Sequence, residues 1–118
     1  MSKKRKRART VSSHTYSIHH IMFTRKSWDK GYKLLLRRVF VYDLPNNVHQ
    51  DLHNAVGPVP PLDEDEAKWL WEQYKLVEHE MELFEALAWL QMHAPNAEFA
   101  MAIMAQYGYL KNHLGRCV

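Results

Sequence analysis

The sequence predicts an α+β fold: a small ββα unit, a β-hairpin plus short helix, then a two-helix antiparallel hairpin, with a disordered basic arm in front. Three observations predict it. The run His14–Phe23 (HTYSIHHIMF) is rich in β-branched and aromatic residues and carries no strong helix signal. Further on, Leu70, Tyr74, Val77, Met81, Phe84 and Leu87 recur close to every 3.6 residues. Between the two regions, Gly57, Pro58, Pro60 and Pro61 interrupt any regular element. The 118 residues, 47% of them hydrophobic, suit one domain with a modest core.

The elements follow in order. Residues 1–13 (MSKKRKRARTVSS) form a polybasic arm with too little apolar area to order itself. Residues 14–56 make the ββα unit. His14–Phe23 is its first strand. Thr24–Lys33 is a connection that sets Trp28 and Tyr32 among Arg25, Lys26, Lys30 and Lys33. Those two rings suit either core packing or stacking on bases. A short helix from near Ser27 continues through Leu34–Arg38, and Val39–Tyr42 is the second strand. Asp43–Asn47 (DLPNN) is a turn and helix start, because Pro45 fixes φ and Asn46 or Asn47 can cap free N–H groups. Val48–Val56 is then a short helix, and residues 57–65 are a Pro-rich linker. Asp63–Glu66 caps a long helix that runs from about Glu66 to Met92. Pro95 and Asn96 restart a helix through about Leu110. The short link at His93–Pro95 lays the two helices side by side, so residues 66–112 form a helical hairpin packed on the same domain. Glu72, Glu78, Glu80, Glu82 and Glu85 mark its solvated face.

Charge is divided unevenly along the chain. Residues 1–40 hold twelve Lys and Arg against Asp29 alone, a balance of +11; residues 41–118 hold four against twelve acids, a balance of −8, and the whole is +3. A basic half beside an acidic half points to a polyanionic partner for the first. The expected partner is nucleic acid, DNA ahead of RNA. Lys3, Lys4, Arg5, Lys6 and Arg7 of the arm, with Arg37 and Arg38, are the expected phosphate contacts. Cys117 is the one cysteine, which excludes an internal disulfide and a cysteine-based zinc site. No apolar run approaches the ~18–20 residues of a membrane span, and the basic start lacks the apolar stretch of a signal peptide. A cytoplasmic or nucleoid-associated protein without a membrane partner is expected.

Eight histidines occur, and four are informatively spaced. His19 and His20 are adjacent near the end of a predicted strand. His49 and His53 are i, i+4 on a predicted helix, on one face about a turn apart. Two such imidazoles can chelate a transition metal, and a further His can supply a third ligand with a coordination position left open. Consecutive strand residues point to opposite faces, so one of His19 and His20 can be a ligand while its neighbour acts as a general base. A zinc-protease reading needs Glu directly after the first His of HxxxH; Gln50 follows His49. His14, His79, His93 and His113 read as surface or structural residues.

A His-His pair near a strand end, an interval, then HxxxH on a short helix resembles the HNH or ββα-metal (His-Me finger) nucleases, colicin-type DNases especially. The resemblance covers about His19–His53. It implies a divalent metal of Zn, Mg or Ni type bound by His19, His49 and His53. It also implies that His20 is the base that activates water against a phosphodiester. The family's base-orienting Asn has no counterpart at its usual place, where Asp43, or Tyr42, stands nearest; its Gly-rich loop is replaced by Trp28–Tyr32 (WDKGY). The expected function is a metal-dependent endonuclease. The alternative is a non-catalytic nucleic-acid-binding accessory protein that works through its basic N-terminal region. A third reading, an acidic helical hairpin that binds a basic partner, has the least support in the sequence.

Overall fold

The computed structural model describes residues 15–114. The expected arm, with Lys3, Lys4, Arg5, Lys6 and Arg7, lies outside the described residues, as do His14 and Cys117. The fold is α+β, with one antiparallel strand pair and five α-helices among the described residues. In chain order these are β1 (Tyr16–His20), a 3₁₀ turn (Arg25–Trp28), α1 (Gly31–Val39), β2 (Val41–Pro45), α2 (Asn46–Ala55), α3 (Glu64–Tyr74), α4 (Leu83–Met92) and α5 (Ala97–Leu114).

The strand pair sets His19 opposite Tyr42 and His20 opposite Val41. Two further hydrogen bonds prolong it, from Asn46 N–H to Thr15 O at 2.8 Å and from Ile21 N–H to Phe40 O at 3.0 Å. β2 lies further along the chain than the VFVY run suggests, because α1 occupies Val39 and the Phe40 N–H returns to Leu36 O. The expected turn at Asp43–Pro45 is ladder instead, with Leu44 buried inward. Pro45 sits at the strand's last position, where a missing N–H does least harm. It also occupies the N-cap of α2 without a side-chain cap bond, so Asn46 and Asn47 fall inside the first turn rather than capping it.

The start of α1 depends on close approach. Gly31 has φ +58°, and a Cβ there would come within 2.7 Å of the Glu64 carboxylate. The same carboxylate accepts from the Tyr32 N–H at 3.4 Å. Glu64 opens α3, whose capping box forms as the sequence predicts. Asp63 Oδ1 accepts from the Glu66 N–H at 2.8 Å, and Glu66 Oε1 accepts from the Asp63 N–H at 3.0 Å.

The single helix expected over Glu66–Met92 is in fact two, α3 and α4, with a turn between them. α3 stops at Tyr74, and Glu82 stands at the N-terminal side of α4, where negative charge is favourable. The turn is held inward by Met81, which is 8% exposed and whose carbonyl accepts from the Tyr42 hydroxyl at 2.9 Å. The hairpin is therefore α4 against α5, while α3 packs on α1. Asn96 caps α5 by accepting from the Phe99 N–H at 2.8 Å.

One core joins all these elements through Trp28, Leu36, Phe40, Leu52, Leu87 and Phe99. Trp28 is fully buried, lies against Phe99 and donates to Val59 O at 3.3 Å. It is core rather than a stacking surface. The acidic side chains from Glu72 to Glu85 are all exposed, as expected. Met92, Met101 and Met104 are also exposed, whereas Met22 is fully enclosed. No helix among the described residues is long and apolar enough to cross a membrane.

Candidate metal centre

β1 and α2 bring His19, His49 and His53 together, with one ligand atom from each within 4.8 Å of the other two. The local causes are simple. His19 faces inward on β1 and is fully buried, with Tyr42 as its cross-strand neighbour. α2 buries Leu52 and packs on β1, β2 and α5. That orientation aims the flank carrying residues 49 and 53, one turn apart, at β1. The ring centroids of His19 lie 5.2 Å from His49 and 6.0 Å from His53; His49 and His53 are 4.7 Å apart. Phe23 closes one side, 4.3 Å from the His53 ring.

Each ring is held differently. His49 Nδ1 is 2.8 Å from Ser17 Oγ, and His49 Nε2 is 3.1 Å from His53 Nε2. His19 Nε2 is 3.0 Å from Gln106 Oε1, whose own amide nitrogen donates to Ile21 O at 2.8 Å. His19 Nδ1 is buried and meets no hydrogen-bond partner among the described residues. A buried polar atom without a partner is costly, and this one, in a cluster with two other imidazoles, could serve as a metal ligand. Burial drives the His19 imidazole down to about 4; the bond to Gln106 opposes this, and the neighbouring imidazoles add to it. Burial also lowers His49, helped by His53, and lowers His53. All three rings are thereby kept neutral, the form that ligates.

His20 faces away from His19 yet lines the same cleft as His49 and His53, a space of about 130 Å³ also bounded by Ile18, Phe23 and Arg37. Burial lowers it to about 4, assisted by the guanidinium groups of Arg37 and Arg25 and by His49. Arg37 is itself lowered, first by burial, then by Arg25 and Arg38, and its Nε is buried without a hydrogen-bond partner among the described residues. The cleft thus joins His49 and His53 of the three-histidine cluster to a fourth neutral imidazole, His20, and to the Arg37 guanidinium.

Not every expected site residue joins this group. Arg38 is exposed on α1 and does not line the cleft, though its charge bears on Arg37. Asp43 is exposed opposite Ile18, and it makes no hydrogen bond to His20. The Tyr42 hydroxyl is committed to Met81 O, and burial pushes it up to about 12. The remaining described histidines have local partners. His79 pairs with Glu85 at 2.6 Å, and His93 and His113 bond to Trp89 O and Tyr109 O while stacking on those rings.

Gln106 and Arg25 were not picked out by the histidine pattern. A signal for Gln106 exists nonetheless. Phe99, Ile103, Gln106 and Leu110 are the buried stripe of α5, and Gln106 is its one polar member. A polar residue on a buried stripe needs a partner, which here is a histidine 87 positions away. No protein-family model, curated protein or solved structure matches the chain.

Proposed function

We propose that the protein is a metal-dependent endonuclease that hydrolyses nucleic-acid phosphodiesters at the His19, His49 and His53 centre. The observation that carries this reading is the convergence of three neutral imidazoles, with His19 Nδ1 buried and without a partner among the described residues, two of them lining a cleft with His20 and Arg37. Three imidazole nitrogens suit zinc, nickel or a similar transition metal, whereas magnesium takes oxygen ligands. A cation held there would supply a Lewis acid for a phosphate oxygen.

The chain's own residues do the rest. Arg37, with its unsatisfied Nε, binds a phosphate oxygen at the cleft, and Arg25 and Arg38 add positive potential around it. His20 is neutral and accepts the proton of an attacking water. A phosphate bound at Arg37 would offset the cationic field that depresses His20 and so strengthen it as a base. The contacts are to backbone rather than base edges, so cleavage would be weakly sequence-selective. The basic arm would add salt-sensitive affinity, with DNA as the preferred polyanion.

Zinc content and plasmid nicking, measured on wild type, His20→Ala and His49→Ala, test the proposal. His20→Ala should keep the metal and lose cleavage by about 10²–10⁴-fold. His49→Ala should lose both. Wild-type protein that binds DNA but neither holds a transition metal nor nicks would instead identify a non-catalytic nucleic-acid-binding protein.

A further inference from the structure

Proton positions around His19 follow from its hydrogen bonds. The carbonyl of Ile21 can only accept, so the Gln106 amide must turn its nitrogen toward it, as the 2.8 Å contact requires. That orientation leaves Gln106 Oε1, which also can only accept, facing His19 Nε2 at 3.0 Å. His19 Nε2 must therefore carry the hydrogen. In a neutral ring the lone pair then lies on Nδ1, the buried atom without a partner.

A related restriction applies at His49. Its Nε2 faces His53 Nε2 at 3.1 Å, a contact in which one nitrogen donates to the other. A cation bound by both would need both lone pairs. His49 would then carry its hydrogen on Nδ1, where Ser17 Oγ stands 2.8 Å away and can accept it. The exchange moves a proton within the ring and changes no net charge.

We infer that Gln106 and Ser17 are positioning residues of the metal centre, fixing His19 to ligate through Nδ1 and His49 through Nε2. The inference rests on the three-histidine metal reading and deepens it. Partners that hold the far nitrogen of a ligating imidazole fix its tautomer and ring orientation, and their loss commonly weakens metal binding 10–100-fold. Gln106 is fully buried on α5, far outside the ββα unit that supplies the ligands. The C-terminal helix is thus part of the site and not only a cover for it.

The test is zinc affinity of the full chain by competition with a chelating dye, together with imidazole ¹⁵N–¹H spectra before and after zinc. Metal-free wild type should show His19 protonated on Nε2. Zinc should perturb Nδ1 of His19 and Nε2 of His49 and His53. Gln106→Met and Ser17→Ala should each weaken zinc about 10–100-fold. Ser17→Thr, which keeps a hydroxyl acceptor at His49 Nδ1–H, should recover most of the loss seen in Ser17→Ala, as a purely structural role would not require. Should Gln106→Met fail to fold, the wild-type spectra still decide the matter. Zinc bound through His19 Nε2, or Gln106→Met binding as tightly as wild type, would overturn the positioning roles while the metal centre stood. Wild type that binds neither zinc nor cobalt would remove the metal centre itself.

Discussion

At the scale of single residues, the site was legible where spacing carries geometry. HxxxH on a helix puts two rings on one face, and alternation along a strand parts His19 from His20; both hold. Which of the adjacent pair turns inward was settled by residues around them, since Ile18 lies on the exposed face with His20. Gln106 could not be found from the motif, because a contact across 87 positions depends on how the helices dock. Burial of neutral histidines has a measurable consequence. His19 falls from 6.5 to about 4 on folding, so the unfolded chain binds more protons between those limits. The neutral fold is fully favoured above pH 6.5, loses stability as pH falls through that window, and levels off below about 4. For His19 alone the loss is on the order of 3 kcal/mol, and His20, His49 and His53 act in the same direction. Urea midpoints of chelator-treated protein, followed from about pH 7.5 to about pH 4, should decline across that range. A flat profile would contradict the buried neutral state.

At the scale of elements, local signals performed well where chemistry acts within a few residues. The Asp63–Glu66 capping box is the clearest instance. They failed where tertiary contact outweighed periodicity. Val77 and Met81 keep the helical spacing, yet α3 ends at Tyr74, and Met81 turns into the core from a loop. The start of α1 was also hidden, because the Gly31 conformation answers to Glu64, 33 positions later. Gly31→Ala should therefore cost about 1–3 kcal/mol, from the positive φ and the carboxylate in the way. Asp63→Ala should cost about 1 kcal/mol through loss of the cap. Denaturant unfolding measures both, and an unchanged midpoint for Gly31→Ala would mean that the α1–α3 contact is looser than described.

At the scale of the molecule, the α+β class was readable from composition and period, while the docking of α3 on α1 was not, since no short-range pattern specifies which helix meets which. The three clustered histidines come from β1 and α2, and the far side of His19 is held by α5, so a cation bound among them would tie three elements of one core. Zinc at about 100 times its Kd should raise global stability by roughly 2.7 kcal/mol, with tryptophan fluorescence and circular dichroism reporting the same shift. Divergent shifts would mean that the C-terminal helix unfolds on its own. The distribution of methionines has a consequence of another kind. Met92, Met101 and Met104 stand in solvent, 56–79% exposed, while Met22 is fully enclosed. Mild peroxide should convert the three outer thioethers to sulfoxides without loss of structure. Sulfoxide at Met22 should form only in molecules that have opened, which makes that one sulfur a chemical record of how often the interior is exposed.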